Sequence, residues 1–436
     1  MYNIVRNTSI QMGKTLIIAA LLVCSNLYGQ VAETSSASRI LQNVLDSLEN
    51  KYPKVIENPE KYRFKIVFTE IKRTKDKVNL ETVGFRMDEN EYLYPASIVK
   101  LPTILIGMEE YNKIHKQRAR VTYETLIKFN KEKGCMPTAF SVKIGNKLEY
   151  YTLDLFTKQM LGVSDNDAYN RMFDFVGQQQ LNRRLKEMEF QNGKIIRKFV
   201  LNCSLDQNRI SDSYVFLGRR NEWLYNRRGI TNPDTIFTDS TYKIGKAYEG
   251  LDKKIVPRPF DFSRQNNLEL VDLHKTLNGV VFPTSSFAHT FDISEEQRKY
   301  VLSNMAKYPG EFSLDFNPKD FHPTYKKYLF FGKDTNTNYT NDSLSRFRSF
   351  NVVGLSFGCA IDAAYIVDLD TGKEFVLTVG IYANEDEVIN DAKYDYETLA
   401  YPLMKDIGRL IMNQLPENKD NVAYLREMLG EFGLKR

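Results

Sequence analysis

Histidine and cysteine are scarce in this sequence, with four of each in 436 residues. His115, His274, His289 and His322 lie far from one another and from the cysteines, and no spacing matches a zinc site. That argues against a metal centre, and no cofactor is expected. Long apolar runs are lacking too. Beyond the first 30 residues nothing approaches the roughly 20 apolar residues of a transmembrane helix. Charge of one sign is not in excess either. The formal net charge is +5, too small to suggest a nucleic-acid partner, and the basic stretch GRRNEWLYNRRG (218–229) reads as a solvated loop.

The one apolar run, Leu16 to Val23, follows Lys14 and precedes small and polar residues up to Gly29 and Gln30. Basic, apolar and small residues in that order form the pattern of a secretory signal peptide. Residues 1–29 are therefore expected to be removed, with Cys24 the alternative point of lipid attachment. The expected destination is the periplasm, the cell envelope or the medium. Loss of Arg6 and Lys14 would take the net charge from +5 to +3. Cys135, Cys203 and Cys359 would remain, enough for one disulfide and one thiol left over in an oxidising compartment.

Periodicity changes along the chain. Ile40, Leu41, Val44 and Leu48 predict an amphipathic helix over 38–52. Residues 62–71 and 78–87 alternate as a strand pair around the polar KRTKDK. From about 96 to 310 the pattern is mostly helical, interrupted by a polar, irregular excursion over 203–262 of the kind that is functional or mobile. Strands return over 350–384, turning at Asp370-Thr371-Gly372, before a last apolar helix face ends near Leu415. Strands at both ends of a helical middle imply one sheet built from the two chain ends, with the middle inserted as a second lobe. A site would lie in the cleft between them.

Two short motifs bear on chemistry. In YPASIVKLPT (94–103), Ser97 and Lys100 stand one helical turn apart, so the amine can reach the hydroxyl. An S-x-x-K arises by chance roughly once or twice in such a chain, and Ser240/Lys243 is a decoy of the same form. The second motif, Ser164-Asp165-Asn166, begins 67 residues after Ser97, just before a helix. Alone it would be a helix cap. Paired with SIVK in a chain bearing an export signal, it points to catalysis. A serine hydroxyl needs a base, and Lys100 can be one only if its surroundings lower its pKa. Ile98, Val99 and Leu101 would desolvate it. Pro95 favours a helix start at Ser97, while Pro102 implies a loosened first turn.

With these motifs the sequence resembles the class A β-lactamase family, among the serine penicillin-recognising enzymes that carry S-x-x-K, S-D-N and K-[T/S]-G. The third motif is degenerate: the glycine is Gly354, but Val352 stands where its lysine belongs. The resemblance implies an α+β fold of β-lactamase/transpeptidase type, an antiparallel sheet flanked by helices with an inserted all-helical lobe. Residues 30–436 would form one such domain, its sheet lobe at about 55–95 and 345–415 and its helical lobe at about 96–340. It further implies acylation at Ser97 by a β-lactam or a related amide or ester, or by a peptidoglycan-like substrate. Ser164 would relay the proton to the leaving group, Asn166 would hold the substrate amide, and the N–H groups of Ser97 and Leu355, beside Gly354, would bind the oxyanion. Arg346 or Arg348 could replace the missing lysine. Only Glu222 offers itself as a deacylating carboxylate, so deacylation is expected to be slow. The alternative is a β-lactamase-fold protein that has lost catalysis and binds a ligand or an envelope partner.

Overall fold

The computed structural model describes residues 35–434, apart from 76, 88–90, 200–201, 240 and 334–340. The signal-peptide segment, Cys24 and Ser240 of the decoy pair lie outside the described residues.

The chain opens with helix α1 (Ser36–Lys51), where the Ser35 hydroxyl accepts from the Ser38 N–H and so caps it. Its Ile40, Leu41, Val44 and Leu48 are buried as their spacing predicts. Strands β1 (Lys65–Arg73) and β2 (Val78–Phe85) pair antiparallel from Ile66–Phe85 to Arg73–Val78. The late strands are β3 (Phe347–Ser356), β4 (Cys359–Asp368) and β5 (Glu374–Tyr382). Strand β5 pairs with β1, for instance Phe68 with Leu377, giving one antiparallel sheet in the order β3-β4-β5-β1-β2. The sheet therefore joins both chain ends, and β3 is an edge strand.

Alternation along the strands splits the core into two layers. Ile66, Phe68, Leu377, Val379 and Ile381 face α1 and the C-terminal helix over Tyr401–Gln414. Val67, Ile361, Ala363, Tyr365 and Val376 face the inserted lobe. The turns follow from backbone chemistry: Phe357 (φ 53°) and Gly358 (φ 78°) both take left-handed conformations between β3 and β4, as a two-residue hairpin turn requires. Gly372 (φ 70°) turns β4 into β5.

The inserted lobe contains helices α2 (Lys100–Gln117), α3 (Leu153–Val163) and α4 (Asn166–Val176). The α+β class holds, but the lobe is not all helical. Leu126–Asn130 pairs with Ser213–Leu217, which pairs with Trp223–Arg227, and further short strands occupy 243–261. Helical patterning missed them because each is at most five residues long. The excursion over 203–262 is packed down by aromatics. Tyr242 stacks on Tyr92 with ring centres 4.4 Å apart, and Phe262 contacts Tyr94 and Phe357.

Cys135 and Cys203 form a disulfide across 68 residues, and Cys359 is a buried free thiol. Closing a loop of that length typically stabilises a fold by about 2–4 kcal/mol. The double variant C135S/C203S should lose unfolding free energy of about that size in a urea melt. A loss near zero would mean that the loop is held equally well without the bond.

Candidate active site

Residues Ala96–Val99 form a 3-10 turn that runs into α2 at Lys100. This is the loosened first turn expected from Pro102, whose missing N–H would otherwise have paired back within the helix. Ala96 takes a left-handed φ of 46°, unusual for a residue with a side chain, and presents Ser97 half-exposed at the turn.

The second motif is both a corner and a site. Ser164 ends α3 in a left-handed conformation (φ 56°), and the Asp165 carboxylate caps α4 by accepting from the Ala168 N–H at 2.8 Å. With Asp165 taking the cap, Ser164 and Asn166 are left to face Lys100. The Lys100 amine lies 2.9 Å from Ser97 Oγ, 2.9 Å from Ser164 Oγ and 2.8 Å from Asn166 Oδ1, and it also contacts the Ser164 carbonyl. The structure thus brings Ser97, Lys100, Ser164 and Asn166 together at one amine. Burial pushes that amine well below the ordinary lysine range; the charge of Lys326 pushes the same way and that of Asp165 opposes it.

Gly354 and Leu355 arrive on β3. A Cβ on Gly354 would lie 2.4 Å from the Pro95 carbonyl oxygen and 3.2 Å from Ser97 N. Only glycine lets the strand approach the Ser97 backbone so closely. Leu355 follows, half-exposed, on the same strand. Residues two apart on a strand share a face, so Val352 points to the same side as Gly354 and brings no charge there.

The proposed substitutes for the lysine are engaged elsewhere. Arg346 forms a two-point ion pair with Asp368, at 2.9 and 2.7 Å. Arg348 does the same with Glu311, at 2.7 and 2.9 Å. Glu222 is also misplaced: it pairs with Arg120, just past the far end of α2. Eighteen helical residues put that end about 27 Å from Lys100. No carboxylate is among the four contacts of Lys100. Instead the Phe199 ring lies 5.6 Å from its amine, and Asn170 fixes Phe199 through both its backbone N–H and its carbonyl.

Sequence reasoning missed Lys326 and Lys327. Lys326 donates to the Val163 carbonyl at 2.7 Å, one residue before Ser164. Lys327 is buried and donates to the carbonyls of Met305 and Ser349 and to Asn351 Oδ1. Burial pushes both down to about 7. The signal was a paired lysine among large apolar residues, YKKYLFF, where surface lysines would not be expected.

Residues 48–224 match the model of the Beta-lactamase enzyme family, Beta-lactamase2. That stretch contains Ser97, Lys100, Ser164 and Asn166 and stops short of β3. Over that stretch the chain is similar to the Beta-lactamase enzyme family. Among solved structures, the chain is similar to the β-lactamase from Sphaerobacter thermophilus, at 12% identity and TM-score 0.43, over 87% of this chain and 98% of that one. It is similar also to the β-lactamase from Burkholderia phymatum, at 11% identity and TM-score 0.45, over 86% and 99%. A class A representative from Bacteroides cellulosilyticus gives 11% and 0.43, over 86% and 97%. No curated protein matches.

The geometry of β3 against Ser97 can be tested directly. Gly354→Ala forces the strand off the Pro95 carbonyl and should slow covalent modification of Ser97 by about 100-fold, the order of loss that follows a displacement near 1 Å. Glu222→Gln should leave that rate unchanged. Both are read as rates of adduct formation by mass spectrometry.

Proposed function

We propose that the chain is an exported serine hydrolase, acylated at Ser97 by a β-lactam or a related amide or ester and slow to release the acyl group. One observation carries the reading: a buried lysine amine within 2.9 Å of two serine hydroxyls, from two distant motifs. In its neutral form Lys100 takes the proton of Ser97 Oγ, which attacks the substrate carbonyl and forms a C–O bond. The backbone N–H groups of Ser97 and Leu355 hold the oxyanion, each such donor contributing on the order of 3 kcal/mol in the transition state. As the C–N bond breaks, the proton passes from Lys100 through Ser164 Oγ to the leaving nitrogen. Asn166 supplies an amide for the substrate's own amide. The outer edge of β3, unpaired in the sheet, offers backbone groups along which an extended substrate can lie.

Hydrolysis of the acyl-enzyme needs an activated water. Among the described residues no carboxylate hydrogen-bonds Lys100, and the Phe199 ring lies beside its amine, which supports a long-lived adduct. The second reading, a binding protein without catalysis, is favoured by Val352 alone.

Incubating the mature protein with excess penicillin and following intact mass should give a persistent adduct on wild type and none on Ser97→Ala. Lys100→Met should slow its formation by about 1,000-fold, within the range of a lost general base. No adduct on wild type with the drug intact would favour the binding protein. Turnover with only a transient adduct would overturn slow deacylation.

The pH dependence has a defined sign. Lys100 serves as a base only when neutral, and its folded pKa lies well below that of free lysine. Acylation should therefore persist at pH values where a solvated lysine is already charged, and fall as pH drops through the Lys100 pKa. Rates of adduct formation across pH would check this.

A further inference from the structure

The segment from Lys307 to Arg346 leaves the helix over Glu295–Ala306 and returns to β3. Its middle lies against the catalytic corner. Lys326 takes a left-handed φ of 62°, its own carbonyl accepts from Asn351 Nδ2, and its amine reaches the Val163 carbonyl at 2.7 Å. Asn351 is the β3 residue just before Val352. The strand that lacks a cation on the face of Gly354 thus anchors, through its neighbouring residue, a cation from elsewhere.

Two lysine amines sit on consecutive carbonyls of one left-handed turn: Lys326 on Val163 and Lys100 on Ser164. We propose that Lys326 is a positioning residue for the base: the inserted segment delivers it to the Val163–Ser164 turn, where its positive charge adds to burial in favouring the uncharged form of the Lys100 amine. The proposal rests on the acylation reading and adds the residue that tunes it.

The surroundings are consistent with that role. The groups that face the two amines are Asp165, which favours their charged forms, the Tyr325 ring 5.0 Å from the Lys326 amine, and the Phe199 ring 5.6 Å from that of Lys100. Lys307 and Lys327 line the same small hollow of about 10 Å³ with Ser164, Val352 and Val353. That is room for one water at most, so little solvent screens the charges. Lys307 bonds Asn304 at 3.3 Å, and Lys327 is turned onto Met305, Ser349 and Asn351. Among the described residues, Lys326 is the cation other than Lys100 bonded to this turn. Repulsion between like charges on amines that bond adjacent carbonyls, at an effective dielectric near 20, amounts to about one pH unit or more. The two amines titrate as a pair, the first proton leaving more easily because the second remains.

The test uses the mature protein as wild type, K326Q and K326R. Glutamine keeps a donor for the Val163 carbonyl without the charge, whereas arginine keeps the charge. Trace labelling with acetic anhydride between about pH 5 and 10, read at Lys100 by peptide mass spectrometry, reports the charge state of that amine without requiring acylation. Removing a neighbouring cation raises the Lys100 pKa, so the K326Q midpoint should move up by about one pH unit, with K326R close to wild type. At pH values below the wild-type Lys100 midpoint, penicillin acylation of Ser97 should fall about tenfold in K326Q and recover at higher pH. An unmoved Lys100 midpoint in K326Q, or an equal shift in K326R, would overturn the proposal. A wild type that no β-lactam labels would sink the acylation reading instead, while the Lys100 midpoint would still decide the electrostatic claim.

Discussion

The buried amine of Lys100 is the contact that the rest of the site depends on. It ties the start of α2 to the corner between α3 and α4, so that two motifs 67 residues apart in sequence meet at one amine. An amine without water must either find acceptors or lose its charge. Here it has both options, with four oxygens within reach and an environment that favours neutrality. The same burial that makes the lysine costly as a cation would suit it to the proposed role of base.

Around that amine the packing is set by backbone approach more than by side-chain bulk. Gly354 lets β3 touch Pro95 and Ser97, and the left-handed Ala96 and Ser164 turn their neighbours toward one point. Such conformations persist only when the surrounding fold fixes them. Much of that fixing comes from aromatic contacts: Tyr94 against Phe262 and Phe357 on one side, and Tyr169 stacked on Phe199 at 4.5 Å on the other.

A second buried polar group holds the inserted segment to the sheet. Lys327, Asn351 and Asp362 are all buried. Asp362 accepts from Asn351 at 2.9 Å and from the Leu329 N–H at 3.0 Å, on a strand face otherwise lined by Ala360, Ala364 and Ile366. Burial pushes the Asp362 carboxyl up and the Lys327 amine down. A buried ionisable pair is weak support for stability in itself, but losing one partner would leave the other without compensation. The network therefore specifies where the segment lies, and with it where Lys326 lies.

The sequence by itself determined what short-range geometry can encode. Helical spacing put Ser97 and Lys100 on one face, a capping tripeptide marked the Ser164 corner, and alternation at both ends built the sheet. Each of these depends on residues within a turn or a strand of one another, where period alone fixes direction. The short strands within the inserted lobe escaped because a few residues carry too little periodicity to register. Only the tertiary structure decided which cation stands at the Val163–Ser164 turn, and that Arg346, Arg348 and Glu222 are engaged elsewhere. Lys326 is 162 residues from Ser164 in sequence, and its place depends on the path of an insertion and on a buried Asn351–Asp362 contact. No spacing rule spans such a distance, because contact between separate segments is set by how their surfaces pack.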